Sequence, residues 1–141
     1  MGVKMSYFKF LLLFAVFFLI PPSCSFKIIN PPVFYDNDFR KIEILQSYKV
    51  DNAEVQSFGS TNYIIYNPFY LQNYPPDVQL FIFWHEFYHI KFNHISREYS
   101  KIEQLQKESD CFALLEIDTF NVRLYIKKIR KIDNVDVYCS F

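Results

Sequence analysis

The stretch Phe81-Ile82-Phe83-Trp84-His85-Glu86-Phe87-Tyr88-His89-Ile90 decides how the rest of this chain is read. It holds His85-Glu86-x-x-His89, and on an α-helix residues four apart lie one turn above each other on the same face. Two imidazole nitrogens can then be offered to one metal ion. Glu86 directly follows the first histidine, where its carboxylate can reach a water activated by that metal and act as general base. The helix that would carry these residues is apolar on nearly every side, which marks it as central and buried.

Around this stretch the chain has room for one domain. It has 141 residues, of which 51% are hydrophobic, enough to build a packed core. Only two glycines occur, which argues against a Gly-rich phosphate-cradling loop, and no dinucleotide fingerprint is present. The formal charge is zero over the full chain. Removing residues 1–25 takes away Lys4 and Lys9 and no acid, so 15 basic groups fall to 13 against 15 acidic ones, a net −2. Nucleic acid is not expected as a partner on that balance.

The N-terminus reads as a targeting segment. Lys4 and Lys9 precede an unbroken apolar run from Phe10 to Ile20, too short for an ordinary membrane span and suited to the core of a signal peptide. Pro21-Pro22 break it, and Ser23-Cys24-Ser25 offers small residues for cleavage after Ser25. The alternatives are a lipid-modified Cys24 or a retained anchor, although the two prolines fit a lipobox poorly. Either way the chain is expected to be exported, as a secreted, periplasmic or membrane-anchored protein, with residues 26–141 as the functional domain. Membrane contact is expected only through residues 1–25, and only if they are not cleaved. Cys111 and Cys139 remain after cleavage and could form one disulfide in an oxidising compartment.

In chain order, Pro31-Pro32 mark an extended lead-in. Phe39, Ile42 and Leu45 step by three and predict an amphipathic helix over Asp38–Tyr48. Residues 49–58 predict a short strand and Gly59-Ser60 a turn. The β-branched and aromatic run Thr61–Asn67 predicts the clearest strand, ending at Pro68. Asp77 is the expected N-cap of the central helix, after Pro75-Pro76. A third helix is expected from about Lys101, with Ile102, Leu105, Phe112, Ala113 and Phe120 on its apolar face. A fourth is expected over Val122–Ile132, with Lys127, Lys128, Arg130 and Lys131 forming a solvated basic end.

The motif gains weight from its surroundings. All three histidines of the chain fall within residues 85–94, and a strand precedes the helix as a candidate edge for an extended peptide. If His85 and His89 were only core residues, Glu86 would be a buried carboxylate with no purpose and a high cost. A catalytic zinc needs one more protein ligand. His94 lies five residues past His89 with no glycine between, which suits a supporting or surface role. The carboxylates Glu103, Glu108 and Asp110 of the third helix are the candidates.

His85-Glu86-x-x-His89, followed some twenty residues later by Asp110-Cys111-Phe112-Ala113, resembles the gluzincin metallopeptidases. The nearest patterns are those of the membrane-protease and prenyl-protease group, the neutral zinc metallopeptidases and the small ImmA/IrrE-like peptidases. The resemblance covers roughly Asn62 to Leu115. It implies a minimal zincin-like α+β domain of three to four helices, with a short sheet whose edge strand precedes the motif helix. It also implies a second helix bearing Glu-x-x-x-Asp or Glu-x-x-x-Asn before an aromatic and an alanine, the glutamate being the third zinc ligand. Here Gln106 occupies that ligand position. Asp110 is therefore the favoured third ligand, followed by Glu103 and Glu108.

The expected function is hydrolysis of peptide bonds by a zinc-activated water, with His85, His89 and Asp110 on Zn2+, Glu86 as general base, and a peptide or protein as substrate. No residue is singled out for stabilising the oxyanion: Tyr88 lies inside the motif and Tyr66 on the strand, but among eleven tyrosines packing is the expected role of each. The alternative is a catalytically inactive zincin-like domain that acts as a secreted binding or interaction module.

Overall fold

The structure, a computed structural model, describes residues 25–96 and 101–140. The targeting segment expected at residues 1–25 falls outside the described residues except for Ser25, and so does Cys24. The described part is an α+β fold with a three-stranded sheet, three long helices and two of a single turn. The strands are β1 (Glu43–Gln46), β2 (Ala53–Phe58) and β3 (Thr61–Tyr66). The helices are α1 (Pro68–Leu71), α2 (Pro76–Lys91), α3 (Ile102–Glu116), α4 (Phe120–Arg130) and α5 (Val135–Tyr138). A 3-10 turn, His94–Ser96, follows α2. Among the described residues no helix is long and apolar enough to cross a membrane.

Helix α2 runs through the middle of the fold, as its all-round apolarity requires. Phe81 and Phe83 are 1% and 0% exposed, and Val78, Ile82, Phe87, Tyr88 and Ile90 are also buried. Each such side chain contributes about 1.5–3 kcal/mol by leaving water. Pro76 opens the helix, so Asp77 sits inside the first turn rather than at the cap. Its carboxylate accepts from Val78 N, and from Thr119 Oγ1 and Asn121 Nδ2 at the start of α4 (2.6 and 3.1 Å). The residue expected to cap one helix thus ties two together. Gln79, fully buried, accepts from Ile29 N and donates to the carbonyls of Lys27 and Tyr74, which straps the extended lead-in to α2.

Two expectations about the sheet are corrected. Residues 38–48 form no helix. Asp36 Oδ1 accepts from the backbone of Asp38 and Arg40, Phe39 takes a left-handed φ of 61° and is 89% exposed, and the chain then enters β1. The three-residue steps of Phe39, Ile42 and Leu45 imitate a helix, but only Ile42 is buried. Asx-type hydrogen bonding at Asp36 competes successfully with helical pairing.

Because β1 exists, β3 is not an edge. The strand order is β1-β3-β2, with β1 parallel and β2 antiparallel to β3. A strand paired on both sides is well served by the continuous run Ile64-Ile65-Tyr66, all buried. The β2–β3 hairpin closes at Gly59, whose φ of 62° is costly for any residue with a Cβ. Among the described residues, the sheet edge that faces α2 is β2.

The third helix ends at Glu116, so Phe120 belongs to α4 and is exposed rather than part of an α3 core face. Lys127 and Lys128 are solvated as expected, but Arg130 is not. Its guanidinium turns inward to Asp110. Cys111 and Cys139 form a disulfide that joins α3 to the end of α5.

Candidate metal centre

Helix periodicity stacks His85 and His89, and their Nε2 atoms stand 2.9 Å apart, with the rings edge to face. Two imidazole lone pairs facing each other at that distance repel unless a cation, a proton or a metal ion, lies between them. Glu86 is 8% exposed and next to both. Two clefts flank the pair, of ≈ 360 and ≈ 330 Å³. Glu86 and Gln106 line both, together with Ala53 and Glu54 of the β2 edge, while His89 opens on one and His85 on the other.

Behind His85 stands Asp110, which is fully buried. Its Oδ1 lies 2.8 Å from His85 Nδ1. The distance is that of an ion pair, although the ring is turned so that its N–H does not aim well at the oxygen. Among the described residues His85 Nδ1 is the one buried side-chain polar atom without a well-formed hydrogen bond. Arg130 donates to Asp110 through Nε (2.6 Å) and Nη2 (3.2 Å), and Tyr138 donates its hydroxyl at 3.0 Å. The disulfide joins the residue after Asp110 to the residue after Tyr138, so it holds this contact in place. Arg130 Nη2 also donates to Gln106 Oε1 at 2.7 Å.

The charges follow from these neighbours. Burial alone would raise the Asp110 carboxyl, but the His85 and Arg130 cations beside it win and hold it below its ordinary value. Burial opposes a charged His85, yet the Asp110 carboxylate raises its pKa above the ordinary histidine value. His89 is pushed down to about 3 by burial and by the neighbouring histidines. Of the two imidazoles, His85 is thus the one whose surroundings favour holding a proton. Glu86 is raised to about 7, first by burial and then by the charges of Glu54 and Asp110, against the pull of His85.

His85, Glu86 and His89 are thus brought together. Asp110 reaches His85 through Nδ1, not through the Nε2 that faces His89, and its oxygens are already engaged, which places it as a support for His85. Glu103 is exposed at the start of α3. Glu108 faces His94 at 3.0 Å. Gln106 is the α3 side chain that lines both clefts, with Ile102 and Leu105 on one and Asp110 on the other. Among the described residues no three His, Cys, Asp or Glu side chains are gathered as a metal-holding group. The two Nε2 atoms are the donors that a cation would meet here, and no third such side chain is gathered beside them among the described residues. Comparisons of the chain with protein-family models, curated proteins and solved structures returned no match.

Neither Tyr88 nor Tyr66 faces the clefts with a free hydroxyl. Tyr88 donates to Glu116 at 2.6 Å, and Tyr66 accepts from Gln46 at 2.7 Å. Arg130 escapes sequence reasoning. It lies in a basic cluster at a helix end, and only the packing of α4 against α2 singles it out.

Proposed function

We propose that this chain is a zinc-dependent peptidase in which His85 and His89 hold the metal through Nε2 and Glu86 is the general base. The observation that carries this reading is the pair of Nε2 atoms 2.9 Å apart beside a buried carboxylate that lines open clefts. Zinc bound between the imidazoles would polarise a substrate carbonyl and lower the pKa of a water towards about 7. Glu86, raised to about 7, is suited to take the proton of that water and return it to the leaving amine near neutral pH. Asp110 orients His85, a task carboxylates commonly perform for metal-binding imidazoles. Gln106 is the neutral candidate for the third position.

The edge of β2, beside Glu86, suits backbone pairing with an extended peptide or protein substrate. The apolar N-terminal run and the disulfide together support an exported protein.

A second reading has its own observation. Gln106 stands where the resemblance implies a glutamate, and its amide oxygen already accepts from Arg130. That favours a zincin-like domain that binds a partner and does not hydrolyse it.

Zinc stoichiometry of the full-length protein, beside His85→Ala and Gln106→Ala, comes first, and peptide hydrolysis with Glu86→Gln as control follows. One zinc per chain, lost in His85→Ala, with hydrolysis abolished in Glu86→Gln, supports the peptidase. Zinc without hydrolysis selects the binding domain. Absence of zinc from the intact protein sinks both and leaves an interaction module.

A further inference from the structure

We infer that Arg130 is a substrate-contacting residue, whose Nη1 donates to a backbone carbonyl oxygen of a peptide bound in the cleft beside His85. The inference rests on the peptidase reading above. A guanidinium carries five N–H groups, has no acceptor and stays charged at any pH a folded protein meets, so its hydrogens can be counted without assigning a protonation state. Nε donates to Asp110 Oδ2 at 2.6 Å. Nη2 divides its two hydrogens between Asp110 Oδ1 at 3.2 Å and Gln106 Oε1 at 2.7 Å. Nη1 keeps both of its own, and no group among the described residues accepts them. It is not sealed off either. Among the described residues the one buried polar side-chain atom without a partner is His85 Nδ1, so Nη1 is in contact with solvent.

The solvent it meets is that of the active cleft. Arg130 stands in the last turn of α4, where an arginine usually reaches outward, but here it is drawn inward and lines the ≈ 330 Å³ cleft with His85 and Glu86. Among the described residues it is the one lysine or arginine side chain that lines either cleft. Three hydrogen bonds fix its plane, so little side-chain freedom remains to be lost when a ligand arrives.

The same bonds decide what Nη1 can take. A carboxylate is gripped best by two parallel N–H groups, and every two-nitrogen edge of this guanidinium includes Nη2, whose hydrogens are spent. Asp110 already balances the positive charge, and the Glu54 carboxylate lines the same cleft, so a second anion would be repelled. What remains is one charged donor facing a neutral acceptor, which suits a single carbonyl oxygen. Ala53 and Glu54 of β2 form part of the same cleft, so a peptide laid along that strand crosses the space that Arg130 lines.

The test is NMR of the full-length Glu86→Gln protein with zinc supplied, which should bind peptide without cleaving it, with nitrogen-15 in its arginine side chains. The probe is a pooled library of hexapeptides of uncharged residues, acetylated at one end and amidated at the other. The Nη1 signal of Arg130 should move as the pool is added, while Nη2 stays. A second substitution, Arg130→Lys, keeps a cation beside Asp110 but has no nitrogen at the Nη1 position. It should weaken binding of the pool by about 10–100-fold, the worth of one hydrogen bond to a charged group. An unmoved Nη1 signal, or equal affinity with Arg130→Lys, while the backbone amides of β2 report binding, overturns the role of Arg130 and leaves the peptidase reading standing. Movement of Nη1 only with a pool that ends in free carboxylates makes an anion the ligand and overturns the carbonyl contact. Failure of both pools to bind overturns the peptidase reading itself. If Arg130→Lys fails to fold, the Nη1 signal of the Glu86→Gln protein still decides.

Discussion

Glu86→Gln should stabilise the metal-free protein, and increasingly so as the pH rises. In the fold, burial pushes the Glu86 carboxyl up to about 7, against an ordinary value of 4.5. An acid that is harder to ionise folded than unfolded contributes its full stability only while both forms are protonated, below about pH 4.5. That contribution is lost as the pH rises through the folded value. At about 1.4 kcal/mol per pH unit of separation, the loss amounts to about 3.5 kcal/mol in all, and to about 2.5 kcal/mol between pH 5 and pH 8. Glutamine has nearly the same shape and no charge, so it removes this dependence. His85, His89 and Asp110 titrate in both proteins, and their contributions largely cancel in the difference. The assay is urea unfolding of wild type and Glu86→Gln in the presence of a chelator at pH 5 and pH 8. The stability gap should widen in favour of the variant by about 2.5 kcal/mol at the higher pH. Saturating zinc should narrow it, because a divalent cation favours the ionised carboxylate. A gap independent of pH would refute the claim that Glu86 is held uncharged by burial, and with it the basis for its tuning as a base.

Three further outcomes follow from the packing. Arg130→Met leaves Asp110 buried with His85 as its remaining charged partner, and equilibrium unfolding should show a loss of about 3–5 kcal/mol. A loss below 1 kcal/mol would mean that the pair is solvated. Cys139→Ser opens the 28-residue span to Cys111, and loop-closure entropy puts the cost at about 3.5 kcal/mol, read as a lower Tm. An unchanged Tm would show that the packing of α5 suffices without the bond. Gln79→Leu removes the partner of three backbone groups in residues 27–29 and 74, at about 1–3 kcal/mol for each one left buried and unpaired. Limited proteolysis should then cut the lead-in near Ile29 well before the domain unfolds, and equal protection in both proteins would contradict the strap.

The limits of sequence reading show at individual residues. The strand at Thr61–Tyr66 was legible because β-branched and aromatic residues are concentrated there, but its place in the middle of the sheet was not. That place depends on β1, whose apolar residues step by three like a helix while an Asx turn at Asp36 redirects the backbone. His94 looked too close to His89 to fold back without a glycine, and Asn93 supplied the left-handed turn instead. Asp110 was singled out as important by its position on α3. Its role differs from the expected one because Arg130, twenty residues further on, and Tyr138, twenty-eight further on, occupy its oxygens.

Local spacing by itself determined the two stacked imidazoles, the adjoining carboxylate, the buried helix that bears them and the α+β class, since each follows from a period of 3.6 or of 2 along the backbone. Only the tertiary structure decided which strand of the sheet faces α2, which carboxylate stands beside which histidine, and that Gln106 is the α3 side chain shared by both clefts. Those are contacts between residues far apart in the chain. Their partners are chosen by how helices and strands pack, and no short-range periodicity encodes that choice.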